Sequence, residues 1–502
     1  MTDFLSTSEI KKRSIKGAKW LVVMNVLGMP AAFLIALMLG RVGPAVLGMY
    51  ALAQILISVI TTFVVYGGAP VLSVFMPKIT QAEDRGRFVF SYLLILIIAM
   101  AAVLGLFWLY PKAFEFLLQR EFDMRNYGWF VLLSLVIVAT ETFANAAAGL
   151  MLIKVTAIAR QMMRLILLPL VTVLFFFNRE ILVDYGMPCI LGGFLIGYMA
   201  AAVISAVGIL RDPRFTMRPG WFLPPGFWAF SLSAMTATVF TFMYGNFDRM
   251  VILSIQNVEG LGMYQAVISL SSLIGLVPQI LGTTLVPMFS SLLASGKMDA
   301  VQKTYALLQR LGSFFMTGAA LFLISFSGDL LSLFGRSYSS YDYLLSLFSV
   351  QYVVTSLHFG NTPILTSFEK NTFRLTVSFF QILLQIVCTL LFIKSFGVLA
   401  IAGAKIAGVV CANMLSILFV RNSFGKGFSP PISYKFGVGL TIICAVLRNG
   451  FFSDGLVVST FVFIAFSTCY LLFANVRIGE IKDIITLAVS RNALSRPEMR
   501  QS

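Results

Sequence analysis

Apolar stretches of about twenty residues alternate with short polar connections along the whole chain. A bilayer core about 30 Å thick is crossed by about 20 residues of helix. That ruler marks out about fourteen spans, near 20–40, 44–67, 88–110, 128–151, 157–177, 187–210, 227–253, 262–285, 304–327, 341–367, 373–394, 398–420, 433–452 and 455–475. The pattern predicts an all-α polytopic membrane protein. The connections 68–87, 111–127 and 286–303 are the longest, and all are too short for a folded domain. Segment 211–226, "RDPRFTMRPGWFLPPG", is rich in Arg and Pro and reads as a hinge or linker. In the tail, 476–502, isoleucines recur near helical spacing between charges, which predicts a helix on the cytoplasmic surface.

Composition agrees: 59% of the 502 residues are hydrophobic and 12% charged, far from a soluble domain of this size. The net charge of +16 would suggest nucleic acid in a soluble protein. In a membrane chain it reads as basic loops facing the cytoplasm and anionic lipid, so no nucleic-acid partner is expected. With the N-terminus inside, 27 of the 37 Lys and Arg fall on inside segments or the adjoining span ends, eight fall outside, and Arg249 and Lys405 lie within spans. This bias predicts an even number of spans with both ends cytoplasmic. The opening segment, 1–19, is polar and basic and precedes a stretch long enough to span, which argues against a cleavable signal and for an interfacial N-terminus. The five cysteines stand singly in apolar runs and there is one histidine, His358; neither a disulfide framework, a metal site nor a cofactor is expected.

The tetrapeptide "LGMY" occurs at 47–50 and again at 261–264, an offset of 214. Both copies open an inward-running span after an outside turn. Pro77 and Pro287 are 210 apart, Arg160 and Arg374 are 214 apart, and Arg211 and Arg421 are 210 apart. Landmarks in order at nearly constant offset predict two parallel six-helix halves, 20–210 and 227–421, joined by the linker 211–226 and followed by an additional helix pair, 433–475. Parallel repeats related by an axis along the membrane normal are a transporter signature.

The stretch "LMLGRVGPAVLGMYALAQ" resembles the first outside turn of the Wzx-type oligosaccharide flippases of the multidrug/oligosaccharidyl-lipid/polysaccharide exporter superfamily, through Arg41, Gly43, Pro44, Gly48 and Tyr50. "NFDRMVILSIQNVEGLGMYQAV" is similar to that family's seventh and eighth spans, through Asp248-Arg249 and Gly262-x-Tyr264, and "SFEKNTFR" and "VLAIAGAKIAGVV" fit it too. The resemblance covers almost the whole chain, in loose motifs. It implies a flippase, not an enzyme, in the inner membrane of a bacterium, turning over an oligosaccharide carried on undecaprenyl pyrophosphate during polysaccharide biosynthesis. It further implies alternating access, with a polysaccharide polymerase and other assembly proteins as partners beside the lipid-linked substrate and membrane lipids. The additional helix pair leans toward lipid-linked substrates, since in fourteen-span relatives it helps form a groove for the lipid tail.

Charges near the bilayer centre cost about 2.5–3.5 kcal/mol each on insertion scales and need a wet cavity, a partner or a function. Lys405 lies about 12 Å from the outer boundary of its span, among small residues, and reads as a cation facing a pyrophosphate or as half of an internal salt bridge. Arg249 offers a planar fork suited to phosphate; the other reading is an outer anchor or a partner for an acid on another helix. Arg160 and Arg164 share a helix face and either gather a diphosphate from the inner leaflet or anchor the span by the positive-inside rule. Arg41 completes the substrate-binding candidates, and its role is equally well structural. Glu141, mid-span in "VATETFANAAAG", and Asp248 are the candidates for ion coupling; Glu141 reads equally as a counter-charge for Lys405 or Arg249. Gln54, Asn145, Gln265, Gln279, Asn361 and Gln381 are polar enough to line a path or to join helices. No catalytic residue is expected. The alternatives to a flippase are a cation-coupled exporter of small organic molecules and, further off, a membrane-embedded glycan polymerase or glycosyltransferase; the chain has no Asp-x-Asp and no Walker A pattern.

Overall fold

A computed structural model of the chain describes residues 7–65, 68–109, 127–275, 298–356, 371–425, 430–451 and 456–474, with residues 289, 361, 364, 365 and 428 between them. His358, Gln279, Pro287 and the tail 476–502 lie outside the described residues. The described residues are helical almost throughout, and the helices fall on the predicted spans. Spans one to six are Thr7–Val42, Pro44–Val59 (continued by a π-helical turn, Ile60–Val64), Ala82–Leu109, Tyr127–Gly149, Ile153–Phe177 and Gly186–Leu210. Spans nine to fourteen are Met298–Ser325, Asp342–Thr355, Asn371–Phe396, Val398–Phe424, Ile432–Phe451 and Leu456–Ala474.

The sequence predicts separate seventh and eighth spans with a connection between them. The structure instead runs helix from Phe227 to Ser271, interrupted only at Asn257 (φ 65°, ψ −169°). Spans seven and eight are its two arms. Along one straight helix Asp248 and Tyr264 would be about 24 Å apart at 1.5 Å per residue. The Tyr264 hydroxyl donates to Asp248 Oδ2 at 2.5 Å, so the chain reverses at Asn257. This residue does the work of a loop. It takes up a positive φ, which Asn tolerates better than most side chains, and its Oδ1 accepts the amides of Glu259 (3.0 Å) and Gly260 (3.3 Å), capping the second arm at its otherwise unpaired N–H groups.

The helices group into two compact units: Met1–Leu273 with Gly328–Leu344 and Ser378–Ala404, and Ile274–Ser327 with Leu345–Val377 and Lys405–Ser502. In the first, span one packs on span five, span four on span six, span five on span six, and span two on the paired arms seven and eight. The two "LGMY" copies meet here. A Cβ on Gly48 would collide with the carbonyl of Val258, and one on Gly262 with the carbonyl of Pro44. Each glycine thus faces the carbonyl one helical turn before the other, and only glycine lets two helix backbones approach so closely.

The linker 211–226 is tied to the start of span three. Arg85 donates to the carbonyls of Ile79 (2.8 Å) and Arg214 (3.0 Å), the Thr216 amide to the Ala82 carbonyl (3.3 Å), Ser91 to the Gly220 carbonyl (3.2 Å), and the Phe222 amide to Ser91 Oγ (2.8 Å). Arg214 donates to Asp212 and to the Leu150 carbonyl (2.7 Å), and Arg218 pairs with Glu83. Phe227, fully buried, continues the attachment through edge contacts with Phe88 and Tyr92.

In the second unit span thirteen packs on span nine and span fourteen on both, with Tyr470 stacked between Phe314 and Phe436. Asn413 and Tyr434 both donate to the Val354 carbonyl, at 2.5 and 3.1 Å. Tyr305, beside Phe289, Leu308 and Phe428 in the core of this unit, donates to Asn361 Oδ1 at 2.6 Å.

Candidate functional site

Six of the seven charged candidates stand in the first unit, and four of them form two clusters. Arg164 and Arg249 are far apart in sequence, on spans five and seven. On span two, Tyr50 lies in the electrostatic field of both arginines. Arg249 Nη1 donates to Gln54 Oε1 at 3.4 Å, and Arg164 Nη1 to Gln161 Oε1 at 3.3 Å. Gln161 in turn donates to Asn25 Oδ1 at 3.0 Å, which ties span five to span one. Both arginine bonds are long for N–H···O, whose usual distance is about 2.9–3.0 Å. Arg249 Nε is buried and makes no hydrogen bond. Buried donors are nearly always paired, and an unmet guanidinium N–H is a place for an anionic oxygen. The ring of Tyr50 is fixed by stacking on Phe194, centroids 5.8 Å apart.

The second cluster is a cavity of about 90 Å³ lined by Thr140, Glu141, Ala144, Ala159, Arg160, Met163 and Tyr198, room for a few waters. Glu141 Oε2 accepts from Asn145 Nδ2 at 3.0 Å, one helical turn on. Asn145 Oδ1 faces Arg160 Nη2 at 3.5 Å. Thr140 donates to the Tyr198 carbonyl at 2.8 Å, fixing span four against span six. The Tyr198 hydroxyl feels the charges of both Glu141 and Arg164. A carboxyl group and a guanidinium therefore share one small polar space, bridged by an amide.

Asp248 is used differently. It is fully buried and bonded to Tyr264, joining the two arms of the reversal. The dipeptide Asp248-Arg249 therefore acts on both repeated tyrosines: the acid holds Tyr264 directly, and the charge of the arginine is felt at Tyr50. Arg41 Nε donates to the Leu333 carbonyl at 2.8 Å. Beside it the Tyr338 hydroxyl donates to the Gly40 carbonyl at 3.1 Å, and Arg41 serves this outer-end clamp. In the second unit Lys405, 8% exposed, places its Nζ 5.6 Å from the centre of the Phe348 ring, within cation–π range. Gln265 donates to Ser269 Oγ at 3.4 Å. Among the described residues no group of His, Cys, Asp and Glu could hold a metal ion.

Tyr50, Gln161 and Tyr198 are the site residues that sequence reasoning passed over. Tyr50 was visible as a repeated motif residue; Gln161 carries a weaker signal, a lone amide in an apolar run between two arginines.

No protein-family model matches the sequence, and no curated protein does. Solved structures do. A lipid II flippase, MurJ, in an inward closed conformation superposes with a TM-score of 0.61 at 14% identity, over 92% of this chain and 100% of that one. An inward-facing multidrug-resistance MATE transporter gives 0.60 at 10% identity, over 80% and 98%. A transporter of the same superfamily from Pyrococcus furiosus, described as having a binding pocket of reversed polarity, gives 0.57 at 13%, over 82% and 95%. The chain has the fold of this superfamily, whose solved members here are transporters and flippases rather than enzymes.

Proposed function

We propose that the protein flips a polyprenyl-diphosphate-linked oligosaccharide from the inner to the outer face of a bacterial cytoplasmic membrane by alternating access. The observation that carries the reading is Arg249, bonded at 3.4 Å to Gln54 of span two and left with a buried, unmet Nε, together with Arg164, whose charge is also felt at Tyr50 of span two. Two guanidinium groups suit a diphosphate, which accepts bidentate, charge-assisted bonds that a drug cation would not. Span fourteen and its partner, packed on span nine, and the coverage of the whole lipid II flippase support a substrate with a lipid tail. The reciprocal Gly48 and Gly262 contacts support two parallel halves. In this reading Lys405 is the cation of the second unit, and a glycan polymerase receives the product outside.

The test is translocation of a labelled polyprenyl-diphosphate oligosaccharide in proteoliposomes. Arg249→Gln and Arg164→Gln each lower the initial rate at least tenfold while the purified protein stays monodisperse. Unchanged rates in both variants would sink the assignment.

The Glu141 cavity favours a second reading, a cation-coupled exporter of small organic molecules. It requires transport of an organic cation against an imposed proton or sodium gradient, lost in Glu141→Gln, with no requirement for a diphosphate.

A further inference from the structure

Spans two and eight cross at Gly48 and Gly262 with their backbones in contact. The surrounding side chains are closed off: Leu47, Leu261 and Tyr264 are fully buried and Val46 nearly so. The distribution of Lys and Arg puts this crossing at the outer end, since Gly48 follows the Arg41 turn and Gly262 follows the reversal at Asn257. Six residues deeper on span two, about 9 Å along the helix, Gln54 holds Arg249 of span seven. Arg249 lies eight residues, about 12 Å, below the reversal. The arms seven and eight are joined by the Asp248–Tyr264 bond, so a pull on Arg249 is transmitted to Gly262.

We propose that this crossing is the outward gate and that Arg249 ties it to the substrate, acting as a latch on span two until a diphosphate claims it. The inference rests on the diphosphate reading above. Closed, the gate holds two glycine–carbonyl contacts and the polar tie Arg249–Gln54, whose 3.4 Å length makes it weak. A diphosphate offers the same guanidinium charged acceptors, about twice as strong as a neutral amide, and also meets the unpaired Nε. Once Arg249 turns to the ligand, its tie between span two and arm seven is lost, and the outer ends are released to part. The empty protein stays shut on the outside because the latch is engaged.

The experiment uses the full chain in proteoliposomes, its five cysteines replaced by serine, with Val46→Cys as reporter. Labelling by a membrane-impermeant maleimide from the outer side is followed in time. Gly48→Leu or Gly262→Leu, which force the helices apart, raise the rate at least tenfold. Gln54→Leu, which removes the tie and leaves the glycines intact, raises it about threefold or more. A polyprenyl diphosphate raises it in the parent protein and has no effect in Arg249→Gln. Where leucine prevents folding, alanine at either glycine gives a smaller increase in the same direction. Labelling that stays slow in folded glycine and Gln54 variants overturns the gate. Labelling that rises in those variants but ignores the diphosphate leaves the gate standing and overturns its coupling to substrate, and a diphosphate that is nonetheless translocated then locates that failure in the latch rather than in the transport reading.

Discussion

Replacing Tyr264 by Phe deletes one hydroxyl from a fully buried pair. In a membrane protein, neutral interhelical hydrogen bonds contribute about 0.6 kcal/mol on average and about 1.7 at most. Here the acceptor is a carboxylate with no exposed surface, the donor sits at 2.5 Å, and bonds to charged groups contribute about 1.5–3 kcal/mol. The charge and the burial decide the matter, and the expected cost is about 2 kcal/mol, close to a thirtyfold change in the folded fraction. Asp248→Asn weakens the same bond by neutralising the acceptor. The pair must therefore be non-additive: adding Tyr264→Phe to Asp248→Asn costs less than adding it to the parent protein, by about 1 kcal/mol or more, the usual size of coupling between contacting residues. The assay is reversible unfolding in mixed micelles, titrated with denaturing detergent and read by circular dichroism. Additive costs, or a cost for Tyr264→Phe alone below about 0.5 kcal/mol, would show that the two arms are not joined through this bond.

Asn257→Ala removes the cap of the second arm while keeping a side chain at positive φ, and destabilises the protein by about 1–3 kcal/mol; Asn257→Gly, which relaxes the backbone and loses only the cap, costs less, in the same unfolding titration. Arg214→Ala takes the guanidinium away from a carboxylate, Asp212, that is 8% exposed, and lowers stability by about 2–3 kcal/mol, whereas Arg218→Ala, whose pairing with Glu83 is about half exposed, changes it by less than about 1 kcal/mol; equal effects would mean that the linker is not fastened by Arg214. Glu141→Gln abolishes the dependence of transport on an imposed ion gradient while leaving diphosphate binding, measured by calorimetry, within about twofold of the parent; loss of binding would place Glu141 in the substrate site instead.

The spans were legible because lipid demands long apolar helices whatever they pack against. The Asn257 reversal was not. Hydropathy alone marks the stretch from Asn257 to Glu259 only as a polar interruption, and a loop gives the same signal as a one-residue turn with a cap. Glu141 and Asn145 were each visible as mid-span polar residues, and their pairing follows from helical spacing. That Arg164 and Arg249 both act on Tyr50 was not legible, because it depends on which faces of spans five and seven turn toward span two, and that is set by packing between distant parts of the chain. The attachment of the linker was not legible either: Arg85 and Ser91 of span three supply its partners, and those residues look like ordinary span-end polar groups in sequence.

The contact between the two "LGMY" copies has one more consequence. In a symmetric dimer, a residue that touches a site on its partner is touched by the same site in return. Gly48 meeting the Val258 carbonyl while Gly262 meets the Pro44 carbonyl has that form within one chain, since 44 and 258 are separated by the same interval as 48 and 262. The crossing therefore has the form of a two-fold interface held within one chain, in which each glycine is constrained by the backbone that carries the other.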